Sequence, residues 1–526
     1  MAIEVFSRGE RAHPSFFWLG TAAVTAGVIL HLPMYIRSAS MNFHVAGMPM
    51  DWEMYVGMAL IIGGTALSFY GLLPGAERRQ PVATAVSMGK VRQELPKSGG
   101  RLKWAHWQLL LVLTLAVIID SMKPATLGFV VPGTATEYGL TRAVVALFPF
   151  CALSGLVIGS YVWGMIADRV GRRAAILLAG ILFVGTAICG AMPTFQANIF
   201  MCFLMGIAAG GMLPIAYALL AECIPTQHRG WALVLVGAFG LIGGWFAASG
   251  SASLLEPHFG WRILWFLGAP TGLILILCSA LIPESPRFLL ARGRLDEASE
   301  LVSRYEVQLD PRHWADGGAP RAAGDDSAVT LVSGRLQTTT TTLILVALAW
   351  GFVNFGLLLW LPADLRARGY SVAGSNGLLF YSSLLALPTT VLVAWFYSRW
   401  STKWTLFVLT ILTGLGLIGV SLLDSSIAFF AAHPLVVFSA LMAGVNGIIA
   451  VLLPYTAENY PVLVRGRATG LVSGSSKFGG LAVNALTMAA LVPGLVTGAI
   501  ALVFPIAISA GLVARYGRET RNRNLE

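Results

Sequence analysis

Glu222-Cys-Ile-Pro225-Thr-Gln-His-Arg229-Gly230 recurs as Glu458-Asn-Tyr-Pro461-Val-Leu-Val-Arg465-Gly466. Glutamate, proline, arginine and glycine fall at the same offsets in both copies. Each copy closes a long apolar run, so a polar motif repeats at matched places in a hydrophobic chain. That pattern marks an internal duplication.

Working outward from the two copies, apolar runs lie near 16–36, 53–74, 107–131, 143–166, 174–192, 197–220, 231–255 and 263–282. After a polar stretch they resume at 341–361, 377–397, 404–422, 434–456, 468–491 and 496–514. A hydrocarbon core takes about 20 apolar residues per helix. A lone strand cannot satisfy its backbone groups in lipid, so each run is expected to be helical. The motif copies then follow the fourth helix of two six-helix halves, and the first pair of helices stands outside the duplication. The expected fold is an all-α polytopic membrane protein, a 6+6 helix core plus two N-terminal helices, with 14 transmembrane helices in all.

Composition agrees. Of the 526 residues, 56% are hydrophobic and 11% charged, and mean hydropathy is +0.74. No soluble chain of this length hides so much apolar side chain. The net charge of +10 is read as positive-inside bias rather than nucleic-acid binding, because the cations fall between the runs. Arg78, Arg79, Lys90, Arg92, Lys97, Arg101 and Lys103, then Arg169, Arg172 and Arg173, then the tail with Arg515, Arg518, Arg521 and Arg523, share one side. That side is expected to be the cytoplasm of a bacterial-type inner membrane, with both termini on it. Arg366 and Arg368 fall on the other side as the main exception. The five cysteines lie in or beside apolar runs and are expected as free thiols. The first run is too long for a signal-peptide core and reads as a retained span.

These runs divide the chain into 1–106 (the extra pair and a linker), 107–282 and 341–514 (the two halves), 283–340 between them, and the tail 515–526. Within 283–340, Gly293–Glu306 places Leu295, Ala298, Leu301 and Val302 at helical spacing, an amphipathic surface helix. Residues 310–330 are polar and rich in glycine and proline, a linker.

Asp120 is the most informative interior residue, within Ile118-Ile119-Asp120-Ser121-Met122-Lys123-Pro124. A charge at that depth is costly unless it is paired or faces water. Lys123, three residues on, can approach it. Two readings stay open: Asp120 binds a coupling proton while Lys123 meets an anionic substrate, or the two form a structural ion pair beside Pro124. Lys477 is a second intramembrane cation, read either as a pocket residue or as a lysine reaching for the interface. Tyr217, Asn354, Tyr381, Asn446 and Asn484 are intramembrane hydrogen-bonding side chains that line a cavity or join helices. His31, Met34, Met41, His44, Met48, Met50, Met54 and Met58 cluster in the first pair and its loop. Imidazole and thioether donors suit a soft ion such as Cu(I), although methionine is equally an apolar filler. The candidate metal set is His31, Met41, His44, Met48 and Met50.

Gly164-Met-Ile-Ala-Asp168-Arg169-Val-Gly171-Arg172-Arg173 resembles the signature between the second and third helices of major facilitator superfamily transporters. Pro283-Glu284-Ser285-Pro286-Arg287-Phe288-Leu289 resembles the segment after the sixth helix in sugar porters, organic-ion transporters and aromatic-acid:proton symporters. The duplicated motif is similar as well, and the resemblance spans about 107–514. It implies a major-facilitator-type core that works by alternating access. It also implies a cytoplasmic latch drawn from Gly164, Asp168, Arg169, Gly171, Arg172, Arg173, Glu222, Arg229, Glu284, Arg287, Glu458 and Arg465; static anchoring is the rival reading of these charges. Residues 118–132 are similar to the Asp-Gly-x-Asp opening of aromatic-acid symporters, with Asp120 at the first acidic place and Lys123 departing at the second. Cys202 departs where many relatives carry arginine. Ser398–Lys403 is an eroded second copy of the Asp168–Arg173 signature.

The expected function is therefore secondary active transport: proton-coupled symport of a small organic anion, a carboxylate, aromatic ones included. The partners are that solute, the proton and the lipid bilayer, with a protein docked on the extra pair as a further candidate and no nucleic acid. Export of organic compounds, a non-transporting sensor or assembly role, and soft-metal transport are the alternatives. No phosphate-binding loop or nucleophile–base set is present, so neither enzyme activity nor a cofactor is expected.

Overall fold

The computed structural model describes residues 14–73, 100–307, 334–425, 427–460, 462–492 and 494–521. Arg78, Arg79, Lys90, Arg92, Lys97, the 310–330 linker and Arg523 lie outside these residues, so the expectations placed on them stand as sequence readings.

Long helices run in the order α1 (Pro14–Met41), α2 (Trp52–Leu72), α3 (Trp104–Tyr138), α4 (Arg142–Val170), α5 (Arg172–Ala191), α6 (Phe195–Cys223), α7 (Thr226–Phe259) and α8 (Ile263–Leu281). The surface helix α9 (Leu295–Tyr305) follows. Then come α10 (Leu336–Ala367), α11 (Val372–Arg399), α12 (Thr402–Ser421), α13 (Pro434–Asn459), α14 (Val462–Met488) and α15 (Leu495–Tyr516). Thirteen of these, among the described residues, are long and apolar enough to cross a membrane. The fourteenth predicted span lies in α14, which is long enough but carries Arg465, Arg467 and Lys477. No β-strand occurs among the described residues.

Local chemistry sets the helix ends. Thr194, Ser371 and Ser401 accept from Ala197, Gly374 and Trp404 N–H, capping α6, α11 and α12. Gly171 joins α4 to α5 at φ 106, a backbone state that a side chain rarely adopts. On α9, Ala298, Val302 and Tyr305 are buried; Ala298 and Leu301 pack with Leu289 and Leu290, and Tyr305 lies edge-on to His106 of α3. The helix in that segment begins two residues after Gly293.

The same helix pairings appear in both halves. α3 packs on α7, α4 on α6 and α5 on α8; α10 packs on α14, α11 on α13 and α12 on α15. The duplicated motif is thus matched by duplicated packing. The halves meet where α7 lies against α11 and α13 and where α4 lies against α14. The end carrying Asp168–Arg173 is called the motif end below.

The extra pair is built into the N-terminal half. Gly27 and Gly57 let α1 and α2 approach closely: a Cβ on Gly27 would lie 2.5 Å from Gly57 O. The pair covers α5, whose span is 94% buried, whereas its repeat counterpart α12 is 50% buried. At the end opposite the motifs, Glu137 accepts from Val45 N–H and Ala46 N–H, both at 2.9 Å. The same carboxylate holds Arg262 Nη2 at 2.7 Å and Trp261 Nε1 at 2.8 Å. Tyr35 O–H donates to Phe259 O at 2.5 Å, so the loop after α1 is clamped to the core.

Candidate functional site

A cavity of about 840 Å³, counting space open to solvent, lies between the halves. Asp120 and Ser121 of α3, Gly210 and Pro214 of α6, and Trp245 of α7 line it from one half. Trp350, Asn354 and Phe355 of α10, Asn446 of α13, and Ser473, Ser476 and Lys477 of α14 line it from the other.

Two local distortions open polar groups toward it. Pro124 has no N–H to donate to the carbonyl four residues earlier, which is that of Asp120. Asp120 is buried, and its Oδ1 has no hydrogen-bond partner. In α10 the helix loosens to a π turn over Val353–Leu358, a form found often at functional sites. Asn354 sits in that turn with Oδ1 buried and unpartnered.

Lys477 reaches across the interface. Its Nζ donates to Ser160 Oγ of α4 and to Gly210 O of α6, the latter at 3.1 Å. Asp120 and Lys477 line the same cavity from opposite halves. The cavity therefore holds one acid from the first half and one cation from the second, between the apolar walls of Trp245, Trp350 and Phe355. Trp350 is fixed by donating Nε1–H to Val445 O at 2.7 Å, with Phe355 edge-on at 5.6 Å.

The other expected site residues are distributed differently. Lys123 is buried but turns from the cavity: its Nζ lies over the Phe183 ring at 5.5 Å, beside Gly268. No Asp120–Lys123 ion pair forms among the described residues, because the two side chains leave α3 toward different neighbours. Tyr381 is 57% exposed on the outer surface. Tyr217 packs its hydroxyl against Gly237 of α7. Asn484 accepts from Trp360 Nε1 at 3.1 Å and donates to Phe355 O at 3.2 Å, tying α14 to α10. Asn354 and Asn446 do face the cavity. His31 is buried with Nδ1 on Gly27 O, whereas His44 is exposed. Among the described residues no cluster of three or more His, Cys, Asp or Glu is placed to hold a metal ion. The five cysteines are unpaired.

At the motif end the first-half signature residues bond among themselves and to the segment that follows α8. Glu284 accepts from Arg172 N–H at 2.8 Å and Ser285 N–H at 2.9 Å, holding the start of α5. Glu222 accepts from Arg172 Nη2 at 3.2 Å and from Ser285 Oγ. Asp168 is mostly exposed, with Arg172 at 4.0 Å. Arg169 lends its carbonyl to Arg292, and Gly164 faces open space. Glu458 accepts from Tyr397 O–H at 2.7 Å and Thr520 Oγ1 at 2.6 Å.

The opposite end carries bonds between the halves that sequence reasoning missed. Arg142 pairs with Asp364 and stacks over Trp360 at 4.6 Å. Glu256 accepts from Arg366 Nη2 at 2.8 Å and Asn376 Nδ2 at 2.6 Å. Within the second half, Arg368 pairs with Asp424 at 2.7 Å. The two arginines that broke the positive-inside pattern are thus neutralised by acids distant in the chain.

Two pseudo-repeated six-helix halves around a central charged cavity define a membrane solute carrier. The chain belongs to the Major Facilitator Superfamily, whose sequence profile matches residues 110–483; these are transporters, not enzymes. It is 29% identical over 441 residues to the niacin transporter NiaP of Acinetobacter baylyi, covering 80% of this chain and 96% of that protein. It is 28% identical to the 4-hydroxybenzoate transporter PcaK of Pseudomonas putida, covering 72% of this chain and 84% of that one. The proton:xylose symporter XylE bound to 6-bromo-6-deoxy-D-glucose shares the fold, with a TM-score of 0.65 at 17% identity, over 80% of this chain and 97% of that one.

Proposed function

We propose that this protein is a proton-coupled symporter of a small aromatic monocarboxylate, working by alternating access in a bacterial inner membrane. The motif end and both termini face the cytoplasm in this reading. The observation that carries it is the cavity itself: Lys477 and an unpartnered Asp120 carboxylate set between Trp245, Trp350 and Phe355. An ammonium recognises a carboxylate as a point charge. Flat apolar walls suit an aromatic ring. A carboxylate near the membrane midplane with no bonded partner is suited to take up a proton. Relatives that carry niacin and 4-hydroxybenzoate support the substrate class.

Lys477, rather than Lys123, is assigned the anion, because Lys123 points toward Phe183. The cross-half pairs Arg142–Asp364 and Glu256–Arg366 hold the periplasmic end shut in this state, and the signature residues Asp168–Arg173 with Glu222 and Glu284 brace the cytoplasmic end of the first half. The test is internal acidification of proteoliposomes challenged with benzoate, 4-hydroxybenzoate and nicotinate. One of these should acidify the lumen with wild-type protein and not with Asp120→Asn. Acidification preserved in that variant, or none from any carboxylate with correctly inserted protein, sinks the reading.

A further inference from the structure

Arg229 and Arg465 occupy the same place in the duplicated motif, in the first turns of α7 and α14. A helix start already carries partial positive charge, so a guanidinium there is unfavourable unless an anion offsets it. The nearby acids are committed elsewhere. Glu222 serves Arg172 and Ser285, Glu458 serves Tyr397 and Thr520, and Glu284 holds backbone N–H groups. Each of the first two still lends its field to the arginine of its own motif, Glu222 to Arg229 and Glu458 to Arg465. Arg229 Nε and both Nε and Nη2 of Arg465 are buried without hydrogen-bond partners. The halves come close here: a Cβ on Gly230 would lie 3.6 Å from Glu458 Oε1.

We propose that Arg229 and Arg465 form a binding site for a phosphate group that bridges the two halves at the motif end. Planar guanidinium forks match phosphate oxygens, and buried N–H groups without partners call for acceptors. The phosphate comes either from the headgroup of an anionic lipid, since basic pockets between helices hold such groups, or from free phosphate in solution. An occupant held by α7 of one half and α14 of the other ties together the ends that must part during transport. The site does not depend on the substrate assigned above, and its binding readout works in detergent without a sidedness assumption.

The experiment uses the full chain, purified free of lipid and phosphate. Inorganic phosphate is titrated while thermal unfolding and ³¹P line width are followed. Uptake and unfolding are then compared in phosphatidylcholine vesicles with and without phosphatidylglycerol. A soluble source predicts saturable stabilisation by inorganic phosphate that Arg465→Gln abolishes. A lipid source predicts no response to inorganic phosphate, but stabilisation by phosphatidylglycerol that Arg465→Gln abolishes. Arg465→Lys, which keeps the charge and removes the fork, should weaken either response about tenfold and guards against a misfolded glutamine variant. Wild-type protein indifferent to both probes overturns the proposal, as does a response unchanged in Arg465→Lys and in Arg229→Lys.

Discussion

Replacing Lys477 by methionine keeps length and removes charge. The ammonium has three donors, of which two are used by Ser160 Oγ and Gly210 O. The third remains for a substrate carboxylate, so binding need not break the existing bonds. Losing one hydrogen bond from a charged donor costs about 2–3 kcal/mol. At about 1.4 kcal/mol per decade, KM for the carboxylate should rise about 30- to 150-fold. The assay is uptake of labelled nicotinate or 4-hydroxybenzoate into proteoliposomes, with the corresponding carboxamide as competitor. The carboxamide has no charge for Lys477 to meet, so its inhibition constant should move by less than about threefold. A carboxylate KM within about threefold of wild type refutes the assignment. So does a carboxamide loss as large as the carboxylate loss, which would mean that the variant deforms the cavity.

Asp364→Asn should loosen the periplasmic end. Because Arg142 is 38% exposed, the pair is worth about 1 kcal/mol, a shift of about fivefold toward the outward-facing state. Labelling of a cysteine placed in the cavity by an external thiol reagent measures it, and the charge swap Arg142→Asp with Asp364→Arg should restore the wild-type rate. Glu137→Ala strands Arg262, which is fully buried, and frees the loop after α1. A loss of about 3–5 kcal/mol is expected, read as a fall in Tm in detergent. Glu519 sits outside the membrane at the start of α12. Burial alone would raise its carboxyl, but donors from Ser401, Thr402 and Arg521 outweigh that and hold it below its ordinary 4.5. Its contribution is therefore present above that value and lost as pH falls through the depressed one. Thermal unfolding from pH 7 to about pH 3 should show an acid loss that Glu519→Gln removes.

The helical count was legible because every span but α14 meets the length and polarity of a bilayer on its own, without reference to its neighbours. Span ends were less so. α3 runs to Tyr138 rather than stopping near 131, because Thr134 is buried and Glu137 is used against Arg262 rather than left to water. Asp120 could be singled out because a buried charge is rare. Its partner could not, since spacing along one helix does not say which neighbour each face meets. Lys123 and Asp120 are three residues apart, yet one finds Phe183 and the other the cavity. Tyr381 illustrates the same limit, as a tyrosine in an apolar run serves the outer surface as readily as a pocket. Trp245, Trp350 and Phe355 carried no signal at all in a chain with 15 tryptophans and 27 phenylalanines. The pairs Arg142–Asp364 and Arg366–Glu256 join residues more than 100 positions apart, and only packing of the halves reveals them.

The cavity's charges also constrain what can move through it. With Asp120 ionised and Lys477 protonated, the empty cavity is neutral. A bound monocarboxylate alone would leave it at −1, and a net charge exposed to a low-dielectric barrier is costly. One proton on Asp120 cancels that charge, so the loaded and empty carriers are both neutral, and transport of one proton per anion moves no net charge. Accumulation should follow the pH gradient, about tenfold per unit, since one unit is about 1.4 kcal/mol. A potassium diffusion potential imposed at equal pH should leave uptake unchanged. In Asp120→Asn the balance inverts: the empty cavity carries +1 and the loaded cavity is neutral. That variant should still exchange labelled for unlabelled anion across the membrane while failing at net uptake, because only the return of the empty carrier has become costly. Wild-type uptake driven by the imposed potential as strongly as by the pH gradient would show that charge crosses with the solute, and Asp120 would lose its role as the balancing acid.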